Sequence, residues 1–336
     1  PLLIIALGYG MWSRERERGT LRQVLSTGVD RRTLFAGKAA ALALALLGLL
    51  VPAAVLTLAV LWFLGGGGAS TLARLGLLAA CYGLYLGTFG ALALFASAVA
   101  KTSRAALVGM IGLWGLFCLV LPRLGVEVAS QAVPLPSQAE LSERVEAGLE
   151  KGVDGATSRE DAVESIITKM MREQNLENAG LLMDEAELNG IELRAEARWE
   201  DSIYDHHIEA FQARVEAQER AGAWVGLLSP YAAMRSLSMG LCGTDYAHHL
   251  HFARATEAWR KRFVGYLNEA FAKDGGAEGW NYRAGPELWK KAPPFEYREP
   301  APSFALATHA SSLGGLALWF VISLALALRS SRRVSV

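Results

Sequence analysis

The stretch Glu15-Arg16-Glu17-Arg18-Gly19-Thr20-Leu21, continuing through Ser26-Thr27-Gly28-Val29-Asp30-Arg31-Arg32 to Gly37-Lys38, decides how the rest of the chain is read. It is a short, densely charged segment between two apolar runs. Lys and Arg accumulate in cytoplasmic loops beside membrane helices, so Arg14, Arg16, Arg18, Arg22, Arg31, Arg32 and Lys38 place this loop inside. Leu21, Val24 and Leu25 share one helical face, and Arg22 and Gln23 lie on another. That pattern predicts a short amphipathic helix at the membrane surface. Asp30, with Thr33 and Leu34 behind it, predicts a helix start that runs unbroken into the next apolar run. A plain juxtamembrane connector would follow the positive-inside rule, but Glu15 and Glu17 oppose it, and an ordered Gly19-Thr20 follows them.

Outward from this loop the apolar residues are bunched rather than spread. The chain has 336 residues, 52% hydrophobic and 20% charged, with a mean hydropathy of +0.24. Crossing a hydrocarbon core of about 30 Å takes about 20 helical residues. Runs 39–64, 75–100, 105–126 and 304–328 meet that length. Run 1–11 does not, and because the chain begins with Pro1, residues 1–12 read as the end of a truncated transmembrane helix. Formal net charge is zero, yet residues 127–303 hold 30 acidic and 19 basic side chains, a net of −11, against +11 for the remainder. Lys101 with Arg104, and Arg329 with Arg332 and Arg333, mark further inside segments. Alternation then puts 65–74 and 127–303 outside.

The expected fold is therefore all-α: a multi-pass transmembrane helical bundle with a mostly helical extracytoplasmic domain inserted before the last span. Its parts are a cytoplasmic loop 13–38, three spans within 39–126, an external domain 127–303, a last span 304–329 and a cytoplasmic tail 330–336. Pro52 predicts a kink in the first full span. Gly83, Gly87, Gly90 and Ala91 form a small-residue stripe of the kind that lets helix backbones approach. In the external domain, Ser137 with Glu140 and Ser158 with Asp161 resemble capping boxes. Leu188, Ile191, Trp199, Ile203, Ile208, Phe211 and Val215 recur at near-helical spacing. Residues 274–302, rich in Gly, Pro, Trp and Tyr, read as an irregular strap.

Candidate chemistry is sparse. Gly65-Gly66-Gly67-Gly68 has no Lys-Ser/Thr after it, and Gly37-Lys38 lacks the glycine five residues earlier, so no phosphate-binding loop exists. Cys81 and Cys118 lie in spans and Cys242 in the external domain, which leaves no internal disulfide framework. His206, His207, His248, His249 and His251 are all external. His248 and His251 could share a helix face with Asp245 one turn earlier, as metal ligands, but packing or surface roles explain these histidines more simply. No carboxylate pair stands out by an apolar setting that would tune an acid and a base. Trp224 to Met239 form an apolar patch that suits domain core, the outer membrane surface or the mouth of a path.

In the 13–38 loop, Glu15 and Glu17, Gly19-Thr20, Leu21 and Leu25, Gly28, Arg31-Arg32 and Gly37-Lys38 follow the order seen in the coupling loop of type-2 ABC transporter permeases. A Gly-Val pair stands in place of the family's usual proline. Ser229-Pro230-Tyr231, Leu237-Ser238-Met239, Gly243-Thr244-Asp245, His248 to Phe252 and Ala258-Trp259-Arg260 are similar to a subfamily with a large periplasmic domain of uncharacterised role. The resemblance implies a bacterial inner-membrane permease subunit of an exporter. Glu15, Glu17, Gly19, Thr20, Leu21, Leu25, Arg31, Arg32 and Lys38 would form its ATPase-coupling site. It also implies cytoplasmic ABC ATPase subunits that carry the ATP and Mg, a second permease copy or paralogue, and contact with membrane lipids. The acidic external helices suit a periplasmic partner or cargo, while no nucleic-acid partner and no cofactor or catalytic set of its own is expected. Two rivals stand beside export: ATP-driven force transmission onto periplasmic partners, and a membrane-tethered periplasmic metalloenzyme.

Overall fold

A computed structural model describes residues 1–65, 68–173 and 185–334. Among the described residues the regular structure is helical throughout, without a strand. The chain divides into two compact units, one of Pro1–Gln131, Arg220–His249 and Glu299–Val336, the other of Ala132–Glu219 and Leu250–Arg298. Sequence alone joins 127–303 into one external domain, whereas the structure places Arg220–His249 with the long apolar helices. The reason is burial: Ala233, Met234, Leu237 and Leu241 of the helix Pro230–Leu241 are buried in the first unit's core.

Among the described residues four helices are long and apolar enough to cross a membrane: Arg31–Phe63, Ala69–Val99, Ser103–Ala132 and Ala310–Arg332. Ala69–Val99 is the central one. Phe89, Ala93, Thr88 and Ser97 are fully buried in it, and Ala310–Arg332, Pro230–Leu241 and Arg31–Phe63 all pack against it. Small side chains permit this. A Cβ on Gly87 would come within 2.8 Å of the Phe320 ring, and one on Gly8 would sit 2.7 Å from the Ala93 methyl. Gly90 lies in ordinary contact with Ile4, whereas Gly83 faces open space and takes no part in packing. By contrast, Arg31–Phe63 buries only Phe35, Lys38 and Leu42 and continues through Pro52 with its outer half uncovered by its own chain.

Proline reshapes the third long helix. The Pro122 ring would collide with the carbonyl of Cys118 in a regular helix, and a single π turn, Leu116–Val120, precedes it. Such a turn releases a carbonyl from the helical ladder. The buried Ser229 hydroxyl donates to the Phe117 carbonyl at 2.6 Å, while its oxygen accepts from the Ala232 amide and caps Pro230–Leu241. The run 304–328, expected as one span, is interrupted: Pro302–Thr308 ends at His309 and Ala310–Arg332 begins after it.

The second unit is built from amphipathic helices. Ser137 and Glu140 complete a reciprocal capping box at Gln138–Lys151. Ser158 accepts from the Asp161 amide and donates to its carboxylate, which is half of such a box. Between these helices Asp154 accepts from the Thr157 hydroxyl and from the amides of Ala156 and Thr157, which lower its carboxyl to about 2. Ala162, Trp199 and Ile203 form one small core, and Met170, Ile191 and Ala195 another. Gly190 lets Ala272 approach so closely that a Cβ would lie 2.3 Å from its methyl. The strap 292–298 is held by rings, with Phe295 and Tyr297 meeting Phe252 edge-on and Trp259 donating to the Pro293 carbonyl at 2.8 Å.

Two outcomes follow for stability. Gly190→Ala must push two helices apart and is expected to cost about 1–3 kcal/mol, seen as a lower midpoint of thermal unfolding followed by circular dichroism. Asp154 is held below its ordinary value, so its contribution is complete above about pH 4 and is lost as pH falls towards 2. The stability difference between wild type and Asp154→Ala is expected to vanish over that window.

Candidate functional site

The 13–38 segment folds as two short helices, Ser13–Glu17 and Thr20–Ser26, turned about Gly19 at φ 72°, where a side chain would be strained. A second positive-φ glycine, Gly28 at 86°, precedes the start of Arg31–Phe63. Asp30 occupies the N-cap position of that helix in extended conformation, but its side chain makes no capping hydrogen bond. The amphipathic helix does not offer its apolar face to a membrane surface. Leu21 is 1% exposed and packs with Trp12, Phe35, Leu42, Leu94 and Ala327, with Leu25 partly buried beside them.

Polar bonds fasten this elbow to the ends of two long helices. Ser97 Oγ accepts from the amides of Trp12 and Ser13, and Ser13 Oγ donates to Ser103 Oγ at 3.0 Å. The Glu17 carboxylate accepts from the Ser103 hydroxyl at 2.6 Å and from the Ser103 amide at 2.8 Å, so it caps Ser103–Gly115 from outside. Those two bonds, first the hydroxyl and then the amide, lower its carboxyl below the ordinary glutamate range. Arg16 donates to the carbonyls of Ala98 and Ala100, the orphan end of Ala69–Val99. Lys38, nearly buried, donates to Glu15 Oε1 and to the Met11 carbonyl, each at 2.5 Å, with its ammonium over the Trp12 ring.

The expected coupling residues therefore separate by position. Leu21 and Lys38 are buried, Glu15 is half-buried against Lys38, Glu17 is exposed but bonded to Ser103, and Arg31 donates to the Arg332 carbonyl at 3.1 Å. Thr20 donates to the Glu15 carbonyl across the turn. Arg32, Gly19 and Thr20 are exposed, alongside Arg18, Arg22, Gln23, Thr27 and Val29.

A second centre lies at the junction of Pro230–Leu241, Tyr246–Asp274 and the last apolar helix. Asp245, only 6% exposed, accepts from the His248 amide and bonds His248 Nδ1 through the same oxygen, while its other oxygen lies 2.6 Å from His309 Nε2. Burial raises the Asp245 carboxyl, but the bonds from His309 and His248 outweigh it and leave it below the ordinary range. Gly240 makes the room, since a Cβ there would sit 2.4 Å from the His309 ring. Of the candidate metal ligands, Asp245 is bonded to His248 and to His309, while His251 meets the Tyr297 hydroxyl at 3.1 Å. Among the described residues no group of three or more His, Cys, Asp or Glu could hold a metal ion. His309 lies inside the apolar run 304–328 and a reading by apolar length passes over it, although a lone ionisable residue within an expected span is itself a signal. Asp245 and His248 are the pair that the sequence already places one turn apart, and the structure joins them to His309.

In the second unit a cleft of about 700 Å³ runs along the Glu185–Gly222 and Tyr246–Asp274 helices. Its charges answer one another: Arg260 binds Asp201 and Glu257, and Lys261 binds Asp205 at 2.5 Å. The arrangement is a clasp between two helices.

Removing Asp245 would leave two imidazoles and a helix-end amide without their acceptor. Asp245→Ala is expected to destabilise the detergent-solubilised chain by roughly 2–4 kcal/mol. His309→Gln, which can still donate, is expected to cost less than half as much. Thermal unfolding monitored by tryptophan fluorescence measures both.

One family model matches the chain, a domain of unknown function (DUF3526), over residues 191–298. No curated protein and no solved structure matches it.

Proposed function

We propose that this chain is the membrane-embedded permease subunit of an ATP-driven exporter in a bacterial inner membrane, coupled through the 13–38 elbow to a separate ATPase. The observation that carries this reading is the elbow's division between side chains and amides bonded to Ser97, Ser103 and Lys38 and an outward face free of such bonds. A push on Arg18 to Val29 would reach Ser103–Ala132 through Glu17, Ala69–Val99 through Arg16 and Ser13, and Arg31–Phe63 through Lys38. Four long apolar helices and the segregation of basic from acidic residues support a multi-pass topology with the elbow inside and 132–219 and 250–298 outside. The uncovered outer half of Arg31–Phe63 suits lipid or a second permease copy.

Force transmission without transport is the second reading, and one observation favours it. The central helix is buried all round from Tyr85 to Ala98 apart from scattered positions, and the Thr88 hydroxyl turns back to its own helix, bonding the Leu84 carbonyl at 2.8 Å. Among the described residues this stretch of the central helix therefore turns no hydroxyl towards a path.

Contact and transmission can be separated by mutation. Arg18→Glu with Arg22→Glu is expected to lower copurification of the ATPase at least several-fold. Glu17→Ala should leave copurification intact yet reduce the hydrolysis that the permease stimulates. Wild-type behaviour in both variants would remove the elbow from the mechanism. Cargo movement in proteoliposomes then distinguishes export from force transmission.

A further inference from the structure

We infer that the inner end of the molecule carries an anionic-phospholipid site, formed where the start of the first long helix meets the end of the last. This rests on the membrane reading above and adds a ligand to it. Arg31 opens Arg31–Phe63 and donates to the Arg332 carbonyl, joining residues 301 positions apart. Val334 is buried in the same cluster as Phe35, which seats it beside that helix start. The contact joins Arg31 to Arg332, and Arg32, Arg329 and Arg333 lie within one helical turn of these two along the chain, the side chains of Arg32, Arg329, Arg332 and Arg333 exposed.

These guanidinium groups have no ion-pair partner among the described residues. Across the two segments that meet, 26–38 and 320–334, the single carboxylate is Asp30. In the second unit, by contrast, Arg159, Arg260 and Lys261 are all paired with acids. Uncompensated charges this close repel one another unless an anion lies between them. Arginine recognises phosphate with two parallel N–H donors, a geometry suited to a lipid phosphodiester. Position selects lipid over a protein: Arg329 directly follows the exposed Leu326 and Leu328 of an apolar helix, the depth at which headgroup phosphates lie. The exposed Arg18 and Arg22, further along the elbow, remain for the ATPase.

The test uses the full chain purified in neutral detergent. Retention of phosphatidylglycerol is compared with phosphatidylcholine by native mass spectrometry, alongside thermal protection. Arg329→Gln/Arg332→Gln/Arg333→Gln alters exposed side chains whose backbone contacts remain, and Arg18→Gln/Arg22→Gln serves as a charge-loss control. Selective phosphatidylglycerol binding, weakened on the order of tenfold or more in the triple variant but little in the control, is the expected result. Equal retention by the triple variant overturns the site, as does an equal loss in the control. Protection by inorganic phosphate alone would show a phosphate site rather than a lipid site. Loss of ATPase association without loss of lipid would reassign the patch to the protein partner. Carbonate extraction of the membranes is done first: a chain released by carbonate defeats the membrane reading itself, whereas an integral chain indifferent to lipid charge defeats the lipid site alone.

Discussion

Close approach to the Ala69–Val99 helix is the constraint on which the first unit depends. Helices meet at separations set by the side chains between them, and here Gly87, Gly90 and Ala93 leave room for Phe320, Ile4 and the Gly8 backbone. Where water is scarce the hydrophobic effect between helices is weak and van der Waals contact dominates, so a few tenths of an ångström at such positions outweigh the identity of exposed leucines. The same economy appears at Gly315, whose hydrogen lies where a Cβ would come within 2.7 Å of the Gly226 carbonyl. Trp319 completes that junction by donating to the Leu227 carbonyl and meeting Phe117 edge-on.

Polar groups are spent at the ends of these helices. Ser97, Ser103, Glu17, Arg16 and Lys38 satisfy amides and carbonyls that a helix terminus leaves open, and in doing so they tie the elbow to three long helices at once. Asp245 does comparable work at the junction ahead of the last helix, where two imidazoles and an amide converge on one carboxylate. Both centres rest on charged groups, Lys38 with Glu15 and Asp245 with His309, whose pairing is costly to break from one side.

Much of this was legible in the residues. Long apolar runs located the four helices because their length and composition leave few alternatives, and the Ser137 capping box located a helix start to the residue. The Leu21–Leu25 face announced one short helix in the elbow, whereas Ser13–Glu17, with little apolar periodicity, gave no such sign. The elbow's orientation could not be anticipated, since amphipathicity marks an apolar face without saying whether lipid or protein covers it. Assigning 220–249 to the external domain follows chain order, and only tertiary packing of Met234 and Leu237 reveals otherwise. The Asp245 centre was hidden for a different reason: one of its partners, His309, lies 64 residues away, and a single sequence carries no record of such pairing.

The π turn at Leu116–Val120 has a geometric consequence for everything beyond it. Each residue of a helix advances the winding by about 100°, and a turn closed through an i+5 bond accommodates one extra residue without breaking the rod. Gly125, whose missing side chain admits Val225, and the buried Ala129 owe their bearing to that surplus residue. Excising one position between 116 and 120 would therefore do more than shorten the rod. It would swing the whole outer segment by over a quarter revolution and point bulk where the neighbouring backbone needs a hollow.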